Sequence, residues 1–403
     1  MRLRPVLAAV ATAALASFAW AGAVAPAAGA APLPQAAGKH VSKVCSQAVT
    51  GSAACMAVRV DPATTSAGGA TPAATTPAGL FPADIQSAYQ LPGSTAGAGR
   101  TVAIVDAYDD PTAEADLGVY RSRFGLPACT TANGCFRKVG QTGTSALPKK
   151  NASWAEEISL DLDMVSATCP NCHILLVEAT SPSFANLGAA VNTAARLGAT
   201  AISNSYGGPD AADATYGAYY NHPGIAVTVS SGDGGYGVEY PASSQYVVAV
   251  GGTSLTRAAG TTRGWTESAW SGAGSGCSTL NAAIPSASTF DTGCTRRAVA
   301  DVSAVADPNT GVAVYDSTPY QGASGWLVFG GTSASAPIIA SVYGLAGNAA
   351  TIDANDYPYQ HATSLFDVTT GSNGTCSPTQ LCTARAGWDG PTGLGTPNGT
   401  GAF

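Results

Sequence analysis

The chain has 403 residues, 18 Lys+Arg against 25 Asp+Glu, four His and a formal charge of −7, with 45% hydrophobic and only 11% charged residues. So few cations exclude a basic nucleic-acid-binding face, and so little charge excludes a coiled coil or a charge-rich disordered chain. The 48 Gly and 25 Pro imply many turns and favour a loop-rich α/β or β architecture over a helical bundle. Met1 to Arg4 is basic, Val6 to Val24 is Ala-rich and apolar, and Ala28-Gly29-Ala30 supplies the small residues a signal peptidase reads. Residues 1–30 are therefore expected to be a signal peptide of a secreted, extracellular protein, with an N-terminal membrane anchor as the alternative. No later segment has the roughly 18 uninterrupted apolar residues of a spanning helix, so no stable membrane association is expected.

Ten cysteines in an exported chain suit an oxidised framework. Neighbour pairing is the simplest of many connectivities: Cys45/Cys55, Cys129/Cys135, Cys169/Cys172, Cys277/Cys294 and Cys376/Cys382. Cys169-Pro-Asn-Cys172 has the spacing of a redox or zinc pair, but no second such motif accompanies it. From Thr64 to Gly79 almost no large apolar residue occurs, so this stretch reads as a flexible linker. Residues 31–79 are expected to be a short pro or accessory segment with that linker, and residues 80–403 the main domain. Within it, Arg100 to Val105 reads as a buried strand, Thr112 to Phe124 as a helix and His173 to Val177 as a strand. Phe184 to Leu197 reads as a helix, followed by strands at Ala201 to Ser203 and Ile225 to Val229. Strand and helix alternating at this spacing predict a mainly parallel central sheet flanked by helices on both faces.

Gly330-Gly-Thr-Ser-Ala-Ser-Ala-Pro337 follows the apolar Trp326 to Phe329 and opens a run with helical apolar spacing. A serine delivered by a glycine turn onto a helix N-terminus has an exposed hydroxyl and a free backbone N–H, as a nucleophile needs. The alternative for Ser333 is a simple helix cap. None of His40, His173, His222 and His361 has the His-Gly-Thr setting of a subtilisin base, so the base is sought among carboxylates. Ser153 and Glu156 have capping-box spacing and predict a helix start, which gives Glu156 a structural role. Glu157 and Asp161, four apart, share a face with Trp154 and Met164, whereas Asp163 is rotated about half a turn away. Two carboxylates on a partly apolar face share a proton, and the raised pKa suits a general base. A solvated acidic face is the alternative.

Glu157-x-x-x-Asp161 with Pro170, Ser231-Gly-Asp-Gly234, Gly331-Thr-Ser-x-x-x-Pro337 and a late Asp367 with Gly387-Trp-Asp389 together resemble the sedolisins, or serine-carboxyl peptidases. The resemblance runs from about Leu80 to the C-terminus. It implies a subtilisin-like α/β fold and a secreted, acid-active endopeptidase, a monomer acting on polypeptide substrates through an acyl-enzyme on Ser333. By the same resemblance Glu157 is the base, Asp161 orients it, and Asp233 with the Ser333 N–H forms the oxyanion hole, which requires Asp233 protonated. Ser203-Asn-Ser-Tyr-Gly207 resembles the strand on which the substrate backbone pairs, through Ser203, Ser205 and Gly207. A Ca²⁺ site is implied at the Asp367 and Asp389 side chains and the carbonyls of Val368, Arg385 and Gly387. Arg385 replaces a family glycine, and the region before Leu80 is far shorter than the family's large prodomain. Asp106, ending the first strand, reads either as a buried support for Glu157 or as a strand-end residue. The competing function is a non-catalytic secreted binding protein on the same fold.

Overall fold

The run Val102 to Val105 has no polar side chain to turn toward water, so its strand must be covered on both faces. Every residue from Val102 to Ala107 is indeed buried, in the middle of the main sheet. The computed structural model describes residues 40–61, 75–93 and 96–403; the expected signal peptide and residues 31–39 and 62–74 of the segment before Leu80 lie outside the described residues. In chain order the strands are β1 (Val41–Lys43), β2 (Ala54–Cys55), β3 (Val58–Val60), β4 (Thr101–Ala107), β5 (Phe136–Gly140), β6 (His173–Ala179), β7 (Ala201–Asn204), β8 (Tyr206–Pro209) and β9 (Ala226–Ser230). They continue as β10 (Glu239–Tyr240), β11 (Val248–Arg257), β12 (Trp265–Ala269), β13 (Gly276–Cys277), β14 (Ala298–Val299), β15 (Val302–Val305), β16 (Val312–Tyr320) and β17 (Ala323–Gly330).

The main sheet has the order β12-β11-β9-β7-β4-β6-β5, with β15 also on β11. All its pairings are parallel except β11 with β12. Helices Ala113–Arg123, Ala152–Thr168 and Phe184–Arg196 connect successive strands from β4 to β7; the first and third lie within a residue of the expected bounds, and the second starts one residue before Ser153. The α/β class and the mainly parallel sheet are as expected. All five disulfides join the expected sequence neighbours, closing loops of 3 to 17 residues. No helix among the described residues is long and apolar enough to cross a membrane.

Two smaller sheets draw in residues 40–61. β1, β3, β17 and β16 form a four-stranded antiparallel sheet, and β2 pairs with β8, which pairs with β10. The described residues 40–61 of the segment expected to be accessory therefore pack within the compact unit that runs from Ala37 to Phe403.

Helix Ala152–Thr168 has no solvated face, because every residue from Trp154 to Thr168 is buried. Its four carboxylates must each find a donor or keep a proton. Asp163 accepts from Tyr315 N at 2.9 Å and Glu156 pairs with the buried Arg59 guanidinium at 2.5 Å. The expected capping box is corrected accordingly: Asn151 caps the helix, its Oδ1 accepting from Ser153 N at 3.0 Å and Trp154 N at 3.2 Å. Glu156 is held by a tertiary ion pair instead.

Candidate active site

Ser333 is presented by the turn between β17 and helix Thr332–Ala346. Gly331 makes that turn at φ +89°, a left-handed conformation that disfavours a side chain, and it is also crowded. A Cβ there would lie 1.9 Å from Met56 O and 2.6 Å from Asp233 Oδ2. Ser333 is the second helical residue, so its N–H has no acceptor within the helix. The Asp233 Oδ1 accepts from both Thr332 N and Thr332 Oγ1 at 2.8 Å, which fixes this carboxyl against the helix start. Its Oδ2 is buried and without a partner among the described residues. Burial pushes Asp233 up to about 7, with the Thr332 bonds and the positive charge of Lys43 opposing.

Glu157 and Asp161 are fully buried, which rules out a solvated acidic face. Glu157 Oε2 accepts from Ala57 N at 2.8 Å, and Asp161 Oδ1 accepts from Ser205 Oγ at 2.7 Å. Burial, then the neighbouring Asp106 charge, holds both carboxyls well above the ordinary range. The Ser333 hydroxyl donates to Ser205 O at 3.3 Å and lies near enough to Glu157, whose Oε1 is buried without a hydrogen-bond partner, to ease that rise. Asp106 stands at the end of β4 with both oxygens buried and unpartnered, and burial lifts it to about 8. Three clustered carboxyls in a dry interior cannot all be ionised, so the cluster shares protons. The strand-end position of Asp106 and its influence on Glu157 thus come together in one residue.

A model of the subtilase family matches residues 141–363, more than half of the chain. The chain belongs to the subtilase family. Kumamolisin of Bacillus sp. (strain MN-32) is 30% identical over 362 residues, covering 79% of this chain and 62% of kumamolisin, so the chain spans less than two thirds of that relative's length. Among solved structures, the Pseudomonas sedolisin (serine-carboxyl proteinase) complexed with two molecules of pseudo-iodotyrostatin is 25% identical with a TM-score of 0.66, covering 80% of this chain and 96% of sedolisin. An S41 psychrophilic protease shares the fold at 17% identity and a TM-score of 0.50, over 81% of this chain and 99% of its own. The fold is subtilisin-like, and within the family the chain is similar to kumamolisin and to a sedolisin, in line with the motifs.

In this subtilase the four histidines are engaged elsewhere or exposed. His40 bonds Asp61, His222 bonds Tyr219 O, His361 bonds Tyr357 O, and His173 is exposed on β6. The expected substrate strand divides. Ser203 lies in β7, paired to β4 on one edge and β9 on the other, so it is not free to take an added strand, and its expected role is corrected. Ser205 and Gly207 do face a paired segment, which is the chain's own: Ser205 O accepts from Met56 N at 3.1 Å, and Gly207 is opposite Ala54.

The late aspartates come together. Burial, against bonds from Thr392 and the Arg385 N–H and with a small addition from the Asp367 charge, pushes Asp389 up to about 7. Arg385 N donates to Asp389 Oδ2 at 3.1 Å and Gly387 N to Asp367 Oδ2 at 3.0 Å, while the Arg385 guanidinium turns away to Asp291 and Trp388 O. Asp389 Oδ1 also accepts from Thr392 N and Oγ1, so both of its oxygens and Asp367 Oδ2 brace the local turns, with no cationic side chain directed at them. No group of three or more His, Cys, Asp or Glu able to hold a metal occurs among the described residues, so further ligands there would be carbonyls and water.

Sequence reading missed Arg59 and the segment 52–60. The available signal was the alternation Val58-Arg59-Val60 directly after a cystine, which marks a short strand with one buried polar residue.

Proposed function

We propose that this chain is a secreted, acid-active serine-carboxyl endopeptidase. The observation that carries the reading is the Ser333 hydroxyl at a helix start beside Glu157, with the free Asp233 Oδ2 on the other side of the same turn. Ser333 Oγ attacks the substrate carbonyl carbon as Glu157 takes its proton, and Glu157 then returns a proton to the leaving amine. Asp161, itself held by Ser205, positions Glu157, and Asp106, raised to about 8 by burial, holds a proton beside them in acid, so that the cluster need not carry three charges. The oxyanion is met by the Ser333 N–H and by protonated Asp233. Because Asp233 titrates at about 7, its donor is present in acid and lost as pH rises through that value. Substrate backbone pairs along Ser205 to Gly207.

Secretion is supported by the leader-like residues 1–30 and by five disulfides. Residues 31–79 are read as a pro segment, polypeptides as the only partners, and the enzyme as a monomer. Ca²⁺ would be held by Asp367 and Asp389 with the carbonyls of Val368, Arg385 and Gly387, and would brace the C-terminal loops. The test is hydrolysis of an unfolded protein from pH ~3 to ~8, a range that brackets carboxylate and histidine values. The activated enzyme should work in acid and Ser333→Ala should not work at all; an optimum near pH 8 would point to a histidine base and end the carboxylate reading.

A further inference from the structure

We infer that Glu239 sets the side-chain preference of the cleft, receiving the ammonium of a lysine at the residue whose carbonyl Ser333 attacks. The inference rests on the peptidase reading above and names the substrate class of the same site.

Strand periodicity puts the pocket on one face of the small sheet β10-β8-β2. Glu239 of β10 is opposite Pro209 of β8, so its side chain shares a face with Gly207, two residues earlier. On the other edge of β8, Ala54 is opposite Gly207 and Met56 N donates to Ser205 O, which turns the Met56 side chain to that face as well. Met56 therefore shows where a side chain goes when its backbone pairs with this edge.

Gly207 leaves room for both groups. A Cβ there would lie 2.6 Å from Glu239 Oε2 and 3.0 Å from Met56 Cε, and a Cβ on Gly232 would lie 2.9 Å from Glu239 Oε1. The carboxyl thus lies across two glycines, one on the strand assigned to substrate and one beside Asp233, with the end of the Met56 side chain next to it. Lysine matches methionine in length as far as Cε and carries its ammonium one bond further on. In the place of Met56 it would bring that charge to Glu239.

The carboxyl lacks such a partner within the chain. No hydrogen bond or ion pair reaches it among the described residues, although it is half-buried. Burial, with the Asp233 charge adding and Lys43 of β1 opposing, pushes it up to about 7. Asp210, just past β8, is held by Ser243 and Ser278. A partly desolvated carboxyl is a poor neighbour for an apolar side chain and a good one for an ammonium, because a charge-assisted hydrogen bond is stronger than a neutral one. In acid Glu239 holds a proton, and an arriving ammonium displaces it. Lysine binding below about pH 7 therefore releases a proton, whereas binding of methionine releases none.

The experiment uses two peptides identical except for lysine or methionine at that residue, with the site of the cut confirmed by mass. The enzyme is the full-length protein once its hydrolysis of an unfolded protein has become steady in acid, with Ser333→Ala as the blank. The ratio of kcat/KM for lysine to that for methionine is read from about pH 4 to about 6, between the ordinary carboxylate value and that of Glu239. Both peptides undergo the same chemistry, so the pH dependence of the catalytic groups cancels in the ratio. Lysine should be favoured at least about tenfold at the upper end. The ratio should climb toward that end by up to about tenfold per unit, the slope of one released proton. Glu239→Gln, close in shape and neutral at every pH, should bring the ratio to about one or below and make it flat. A wild-type ratio that is flat or stays below one would overturn the inference and leave the peptidase reading standing. A Glu239→Gln ratio that follows the wild type would do the same. If neither peptide nor unfolded protein is cut in a Ser333-dependent way, the peptidase reading falls and the inference with it.

Discussion

Acidification from pH 7 to 5 should stabilise this protein. A carboxyl whose folded pKa is raised binds its proton more tightly folded than unfolded, so its contribution is fully present below the unfolded value and is lost as pH rises through the folded one. Burial places Asp106, Glu178 and Asp316 at about 8, and Glu156, Asp233 and Glu239 at about 7. Against its partial burial, bonds from Ser42, His40 and Arg59 lower Asp61 below the ordinary 3.8, so it stays ionised throughout this interval, whereas His222, lowered by burial, opposes the trend. For Asp106 the window runs from about 8 down to the ordinary 3.8, so between pH 7 and 5 it is protonated when folded and ionised when unfolded. One such group contributes about 1.4 kcal/mol per pH unit, or about 3 kcal/mol over this interval. At about 2 °C per kcal/mol for a large domain, one proton held by the Asp106–Glu157–Asp161 cluster sets a rise in Tm of about 5 °C, and the other buried carboxyls add to it. Calorimetry on the full-length Ser333→Ala variant avoids self-digestion. Asp106→Asn, neutral at every pH, should remove about 1.4 kcal/mol per unit from the slope. A Tm that is flat or falls between pH 7 and 5 would refute the argument that these carboxyls hold protons in the folded state.

Glu157→Gln should abolish peptide hydrolysis almost as fully as Ser333→Ala, because residues that act as a unit are not additive. A folded Glu157→Gln enzyme that keeps most of its kcat would remove Glu157 from the chemistry. Asp233→Asn keeps a donor at all pH values, so it should retain some turnover and lose the part of the alkaline decline centred near 7; a pH–kcat profile parallel to the wild type would count against the oxyanion role. Chelation near neutral pH should lower Tm, by an amount equivalent to about 2.7 kcal/mol if calcium had been present at a hundred times its Kd. Asp389→Ala should lower it similarly and abolish the calcium response, as checked by calorimetry with and without added Ca²⁺.

Much of the architecture was legible because it depends on short-range pattern. The apolar run of β4, the helix over Phe184–Arg196 and the glycine turn before Ser333 are written in consecutive residues. The cystines could be paired by eye because each loop is short, and Glu157 meets Asp161 on one face because four residues nearly complete a helical turn. Tertiary structure decided the partners. Glu156 looked like half of a capping box but answers to Arg59, 97 positions away, since a buried carboxylate needs a countercharge more than the helix needs a second cap. Ser203 and Ser205, two apart in one motif, part company because one is inside the central sheet and the other lies past its edge. Ala57 reaches Glu157 across 100 positions. No periodicity announces such a contact: a three-residue strand acquires its place only from the sheet edges that the rest of the fold leaves open.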